Sequence, residues 1–167
     1  MILTLYDQDF DSELLTKVTE AVNSPDEEIT IYLFSDGGCN SVCNVLLNII
    51  ENDRDRFKLF GYELLSSSAF EFFVKAECKK ELMPLTIGMI HQGFRTVSIN
   101  DNLKPSDRFN KEIIEKTKRY AKNDDENFIQ KLGLTPKELR EYKKGNDVYF
   151  QYDRFLEIID NYKTNLK

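Results

Sequence analysis

The sequence predicts an α/β fold built around a largely parallel sheet. Apolar runs of strand length, residues 29–34 (ITIYLF) above all, lack the polar alternation of a sheet with one wet face. Amphipathic stretches with helical spacing follow them directly, and glycine or serine turns stand at the joins. Strands alternating with helices specify right-handed βαβ units, in which crossover helices join parallel strands. At 167 residues the chain is expected to form one domain over 1–167, long enough to bury a real core.

Each element has its own signal. Residues 2–6 are a short β-rich start. In DSELLTKVTEAV, Leu14, Leu15, Val18, Ala21 and Val22 recur at helical spacing, with Asp11 or Ser12 as the cap. NSPDEE is a turn by composition, and ITIYLF reads as a strand covered on both faces. SDGG follows at once, and Val42, Val45, Leu46, Ile49 and Ile50 then trace a second amphipathic helix. Beyond the polar linker ENDRDR, FKLFGYELL is a further strand and SSSAFEFFVKAECKK a helix that starts at its serines. Residues 85–91, LTIGMIH, are strand-like and preceded by Pro84. Residues 105–132 form a long charged helical segment with Phe109, Ile113, Ile114, Thr117 and Tyr120 on one side, and the acidic NDDEN at 123–127 is a solvated helix face or a loop. In TPKE, Thr135 caps a helix, Pro136 takes its first position and Glu138 completes a capping box. DVYFQYDRFLEIID gives a short strand and a closing helix.

Composition narrows the function classes. With 41% hydrophobic and 31% charged residues the chain reads as an ordinary globular protein, and a net charge of -6 leaves no basic excess for nucleic acid or anionic membrane. No apolar run approaches the roughly 20 residues of a membrane span. MILTLYDQDF lacks a basic-then-apolar secretory pattern, so a cytoplasmic location is expected. Cys39, Cys43 and Cys78 are an odd set without a C-x-x-C pair, which argues against a disulfide framework. Cys39 and Cys43 lie four apart on the expected helix, but zinc usually takes four N or S ligands and the chain has one histidine. Buried free thiols are expected, with no metal and no organic cofactor.

Three fragments carry chemistry. Gly37 and Gly38 end a buried strand, where backbone without Cβ can approach a ligand and aim N–H groups at a developing oxyanion. Ser66, Ser67 and Ser68 open a helix, whose first N–H groups lack partners and whose dipole is positive there. They are capping residues or a nucleophile with its neighbouring amide. His91 ends LTIGMIH and is the only imidazole available to take a serine's proton. A Ser-Lys dyad would need Lys75, Lys79 or Lys80, which lie two to four turns away on the expected helix.

In order, Ser35-Asp36-Gly37-Gly38, Ser66-Ser67-Ser68-Ala69-Phe70 and Met89-Ile90-His91-Gln92-Gly93 resemble the S-P-G-G, G-x-A-A-S-M-G-A-F and M-I-H-Q-P fragments of the Clp protease proteolytic subunit and its relatives of the ClpP/crotonase fold. The resemblance runs from the first strand to Asp160. It implies a ClpP-like domain with repeated β-β-α units and a protruding handle helix at about 105–132. It implies a serine endopeptidase acting on peptides or unfolded polypeptide through an acyl-enzyme, assembled as a homo-oligomeric ring. Superposing Ala69-Phe70 on the family's Ala-Phe makes Ser66 the nucleophile, with Ser67 the alternate, and His91 the base. The oxyanion pocket then falls to Gly37, Gly38 and the amide of Ser67. For the triad acid, Glu141 is the nearest carboxylate, with Asp147 the alternate. Asp36 stands where the family keeps proline. The chain opens almost directly on its first strand, so the axial loops that meet an unfoldase are not expected, nor is a Clp-type ATPase partner. Two further readings of the same fold are a catalytically inactive assembly subunit and a crotonase-type enzyme that binds an acyl-CoA thioester.

Overall fold

A computed structural model describes residues 2–6, 9–24, 28–92, 104 and 107–166. Strand β1 (Ile2–Tyr6) leads into helix α1 (Ser12–Val22), capped by the Asp11 carboxylate, which accepts from the Glu13 and Leu14 amides. β2 (Ile29–Ser35) passes through the glycine turn into α2 (Asn40–Asn52), and β3 (Phe57–Ser66) into α3 (Ser67–Lys75). β4 (Lys79–Leu82) and β5 (Ile87–Ile90) follow, then α4 (Arg108–Lys131), α5 (Pro136–Lys143), β6 (Val148–Phe150) and α6 (Tyr152–Thr164).

The expected α/β architecture is present: a six-stranded sheet in the order β1-β2-β3-β5-β6, parallel throughout except for β5 against β6. β3 divides its far edge between two partners. Its first half pairs with β4 from Lys58↔Lys79 to Gly61↔Leu82, and its end pairs with β5 from Leu64↔Ile87 to Ser66↔Met89. The serines therefore leave the sheet beside the strand that carries His91.

Ile29, Ile31, Leu33 and Ser35 of β2 are buried, whereas Thr30, Tyr32 and Phe34 are half-buried. The strand is therefore not sealed on both faces as its composition predicts. Its second face is shielded by aromatic pairs across the ladder, Tyr32 stacked on Phe60 at 4.8 Å and Phe34 tilted against Tyr62 at 6.1 Å. Such pairs stabilise neighbouring strands by a few tenths to about 1 kcal/mol each. On the covered face Phe70 is fully buried, stacked on Phe155 at 4.8 Å and tilted against Phe150 at 5.5 Å, which ties α3, α6 and β6 into one core.

Two expected elements differ. The helix from the serines was expected to reach Lys80, but α3 stops at Lys75 because Ala76 turns extended and Lys79 begins β4. Lys80 instead turns its ammonium back on the helix end, donating to the carbonyls of Phe73, Val74 and Ala76 at 2.8, 2.7 and 2.9 Å. Those carbonyls carry the negative end of the helix dipole. The expected strand 85–91 is shorter, since Leu85 has φ +70° in the preceding turn. The long charged helix is found as α4, whose last turns enter the core through Phe128, Ile129 and Leu132. The NDDEN stretch is helical. Pro105 and Gly93 lie outside the described residues.

Candidate active site

Ser66 still belongs to β3, paired opposite Met89 with extended backbone. The chain turns at Ser67, whose φ is +53°, a left-handed conformation uncommon for serine. The turn carries the Ser67 hydroxyl out of the strand to His91, with Oγ 2.8 Å from Nε2. Sequence alignment had set Ser66 in that place. Ser66 is 1% exposed and its hydroxyl, like that of Ser68, is buried without a hydrogen-bond partner among the described residues. The one-residue displacement has a visible cause. β2 advances two residues from Leu33 to Ser35 while β3 advances four, from Gly61 to Leu65, and Glu63 sits at φ +54° within that bulge. Register along β3 is therefore reset just before the serines, and counting back from Ala69-Phe70 misses it.

The glycine turn packs directly behind Ser67. A Cβ on Gly37 would stand 2.8 Å from the Ser67 Cβ and 2.9 Å from the Ser66 carbonyl oxygen, and Gly37 has φ +112°. No other residue fits there. Gly37 is not an available oxyanion donor, because its N–H is given to Ser35 Oγ at 3.0 Å. The Gly37 carbonyl accepts from the Phe10 amide at 2.7 Å. Since a trans peptide directs C=O and the next N–H oppositely, the Gly38 N–H points away from Phe10. With the hydroxyl displaced by one residue, the amide that follows it is that of Ser68, in the first turn of α3, where N–H groups have no intrahelical acceptor. Asp36 is exposed to solvent.

Of the two candidate acids, the structure brings Asp147 to the imidazole. β5 and β6 are antiparallel with Ile90 opposite Val148, so the next step along each strand sets His91 against Asp147. Oδ1 lies 4.0 Å from Nδ1, with the side chains 50% and 31% exposed respectively. Glu141 is not at the ring. Its carboxylate accepts from Lys144 Nζ at 2.8 Å and Asn146 Nδ2 at 2.7 Å, and these two hold it below the usual carboxylate range. Its backbone carbonyl also accepts from the Asn146 amide at 3.1 Å. Glu141 thus shapes the turn from which Asp147 projects. Neither Lys75 nor Lys80 approaches the serines as a base: Lys75 pairs with Glu71, and Lys80 holds the end of α3.

Only Cys43 meets the expectation of a buried thiol. It donates to the Ser68 carbonyl at 3.5 Å, and burial pushes its pKa up to about 12. Cys78 is half-buried. Cys39 is exposed, standing at the cap of α2 and not within it, with its pKa lowered by the Val42 and Ser41 amides.

Ser67 and His91 face a small cleft, open to solvent, whose other walls include Asn40, Glu71, Phe128 and Tyr142. Sequence reasoning did not single these out. Glu71 carried a usable signal, since four residues after Ser67 on one helix is the same face.

No protein-family model matches the chain, and no curated protein matches it. Among solved structures, a point mutant of ClpP1 from Listeria monocytogenes is similar to it, with a TM-score of 0.63 and 19% identity over 94% of this chain and 86% of that one. At that identity the likeness establishes a fold, and the fold is ClpP-like. No described helix is long and apolar enough to cross a membrane.

Proposed function

We propose that this chain is a serine peptidase in which Ser67 is the nucleophile, His91 the general base and Asp147 the carboxylate that orients the ring. The observation that carries the reading is the 2.8 Å approach of Ser67 Oγ to His91 Nε2 from a left-handed turn. A serine hydroxyl is a weak nucleophile until a neighbouring base accepts its proton. With Nδ1 protonated toward Asp147, Nε2 takes the Ser67 proton as Oγ bonds to the scissile carbonyl carbon. The carbonyl oxygen becomes an oxyanion, met by the amides of Gly38 and Ser68. His91 then protonates the leaving amine as the C–N bond breaks, and water releases the acyl group by the reverse sequence. Substrates are peptides or unfolded segments and the working form is a homo-oligomer, as the ClpP-like fold suggests, and we place it in the cytoplasm.

The test is active-site labelling by a fluorophosphonate, read by intact mass and peptide mapping. Ser67 should carry the adduct in the wild type, Ser66→Ala should label normally and Ser67→Ala not at all. Asp147→Asn should slow labelling on the order of a hundredfold or more, while Glu141→Gln should slow it far less. Adduct on Ser66, or folded protein without any adduct, would sink the assignment. The 4.0 Å between Asp147 and His91 favours one rival, an inactive subunit whose imidazole is not held for catalysis. That rival predicts no labelling in any assembly state.

A further inference from the structure

The cleft beside Ser67 has an apolar wall, and polar side chains beyond the Ser67–His91 pair also line it, Asn40, Glu71 and Tyr142 among them. Ile90, Phe128 and Ile129, each under 9% exposed, form the wall. Asn40, in the first turn of α2, and Glu71, one turn beyond Ser67 on α3, line the same cleft. The Glu71 Oε1 is bonded to Lys75 Nζ, and Oε2 has no hydrogen bond among the described residues. The Asn40 side-chain amide likewise has none. Burial favours the neutral form of Lys75, but Glu71 outweighs it and keeps the lysine charged. The pair is thus neutral as a unit, with 23% of Glu71 and 24% of Lys75 side-chain surface exposed.

A substrate residue whose carbonyl meets Ser67 has this cleft within reach of its side chain, because Ser67 and His91 themselves line it. A purely aliphatic side chain would cover Glu71 Oε2 and the Asn40 amide and leave both without water or partner, a penalty that a polar site imposes on an apolar isostere. A cation would satisfy Glu71 but add an uncompensated charge beside Lys75. An acid would meet Glu71 itself. A carboxamide on a short methylene stem fits both requirements. Its NH2 can donate to Glu71 Oε2, its oxygen can accept from Asn40, and its methylenes can pack on Phe128 or Ile129.

Building on the peptidase reading above, we infer that the cleft selects an uncharged carboxamide side chain, glutamine above all, at the residue preceding the cleaved bond, with Glu71 and Asn40 as the specificity-determining residues. The test uses peptidyl diphenyl phosphonates that differ only in that side chain: glutamine, methionine, lysine or glutamate. In each, Ser67 Oγ bonds to phosphorus, phenoxide leaves, and the hydroxyl proton passes through His91 to the phenoxide. The glutamine probe should modify Ser67 fastest, about tenfold or more ahead of its near-isostere methionine. Glu71→Leu and Asn40→Ala, checked for folding by circular dichroism, should each shrink that advantage, and because Asn40 bears no buried ion pair its variant reads out even where Glu71→Leu unfolds. Methionine or lysine equal to or faster than glutamine, while a simple alkyl fluorophosphonate still labels Ser67, would overturn the specificity and leave the peptidase reading intact. No labelling by the fluorophosphonate would remove that reading, and this inference with it.

Discussion

Ser67 is held in a conformation that costs an ordinary residue about 1–2 kcal/mol, the left-handed region where Cβ crowds the following carbonyl. The Gly37 backbone behind it and the hydrogen bond to His91 in front hold it there. Ser67→Gly removes the Cβ, though glycine regains about 0.5–1 kcal/mol of freedom in the unfolded chain. Both Ser67→Gly and Ser67→Ala lose the hydrogen bond to His91, so the net expectation is that Ser67→Gly is more stable than Ser67→Ala, which keeps the strain. Urea unfolding of the three proteins checks this, and a Gly variant less stable than the Ala variant would show that the turn is not strained. The residue scale is also where the sequence is least explicit. His91 and the serine cluster were legible, because a lone imidazole after a strand and hydroxyls at a helix start are local patterns. Which serine faces the ring was not, because that depends on the bulge at Glu63 and on one backbone angle. The acid was hidden for a different reason: Glu141 and Asp147 are both near in sequence, and only the antiparallel register Ile90↔Val148 decides between them.

At the scale of elements, legibility follows the range of the interactions. The start of α5 was readable because the capping box is written in four consecutive residues: Thr135 Oγ1 accepts from the Glu138 amide at 3.3 Å, and Glu138 Oε2 from the Thr135 amide at 2.7 Å. The end of α3 was not, because its carbonyls are met by Lys80 from across a turn and a strand start. α5 is joined to α6 by a contact outside that local pattern. Arg154 donates to Glu138 from Nε at 2.9 Å and from Nη2 at 2.8 Å, and the pair is 19–22% exposed. Arg154, and then the Thr135 amide, hold the Glu138 carboxyl below the usual carboxylate range against the opposing effect of burial. A carboxyl with a depressed folded pKa contributes stability above its unfolded value, about 4.3. That contribution is lost as pH falls through the lower folded value. At pH 7 the wild type should therefore exceed Glu138→Gln by about 1–3 kcal/mol. The gap should close progressively as pH drops below about 4.3. Denaturant midpoints of both proteins from pH 7 to pH 3 give the answer, and a gap that stays constant would mean the charge on Glu138 contributes nothing.

For the whole molecule, strand and helix alternation along the chain was enough to specify the parallel sheet, since each crossover leaves a periodic signature. The forked edge of β3 was not, because β4 and β5 are four residues each and pair with different halves of one strand. That fork places the site at one end of the sheet, next to β6, which is the terminal strand among the described residues and has Tyr149 58% exposed. Asp147 opens this edge, half-exposed and 4.0 Å from the ring, where water weakens its hold on the imidazole. A neighbouring copy that excludes water from this edge would strengthen that attraction and draw the carboxylate into hydrogen-bonding range, without adding any catalytic group. For the homo-oligomer proposed above, turnover per chain should therefore rise with protein concentration across the range in which sedimentation shows the 19.6 kDa chain giving way to larger species. The same rise should be much reduced in Asp147→Asn, whose neutral side chain gains far less from the loss of water. Turnover per chain that stays flat while the mass increases would mean that the resting gap between Asp147 and His91 is not closed by assembly.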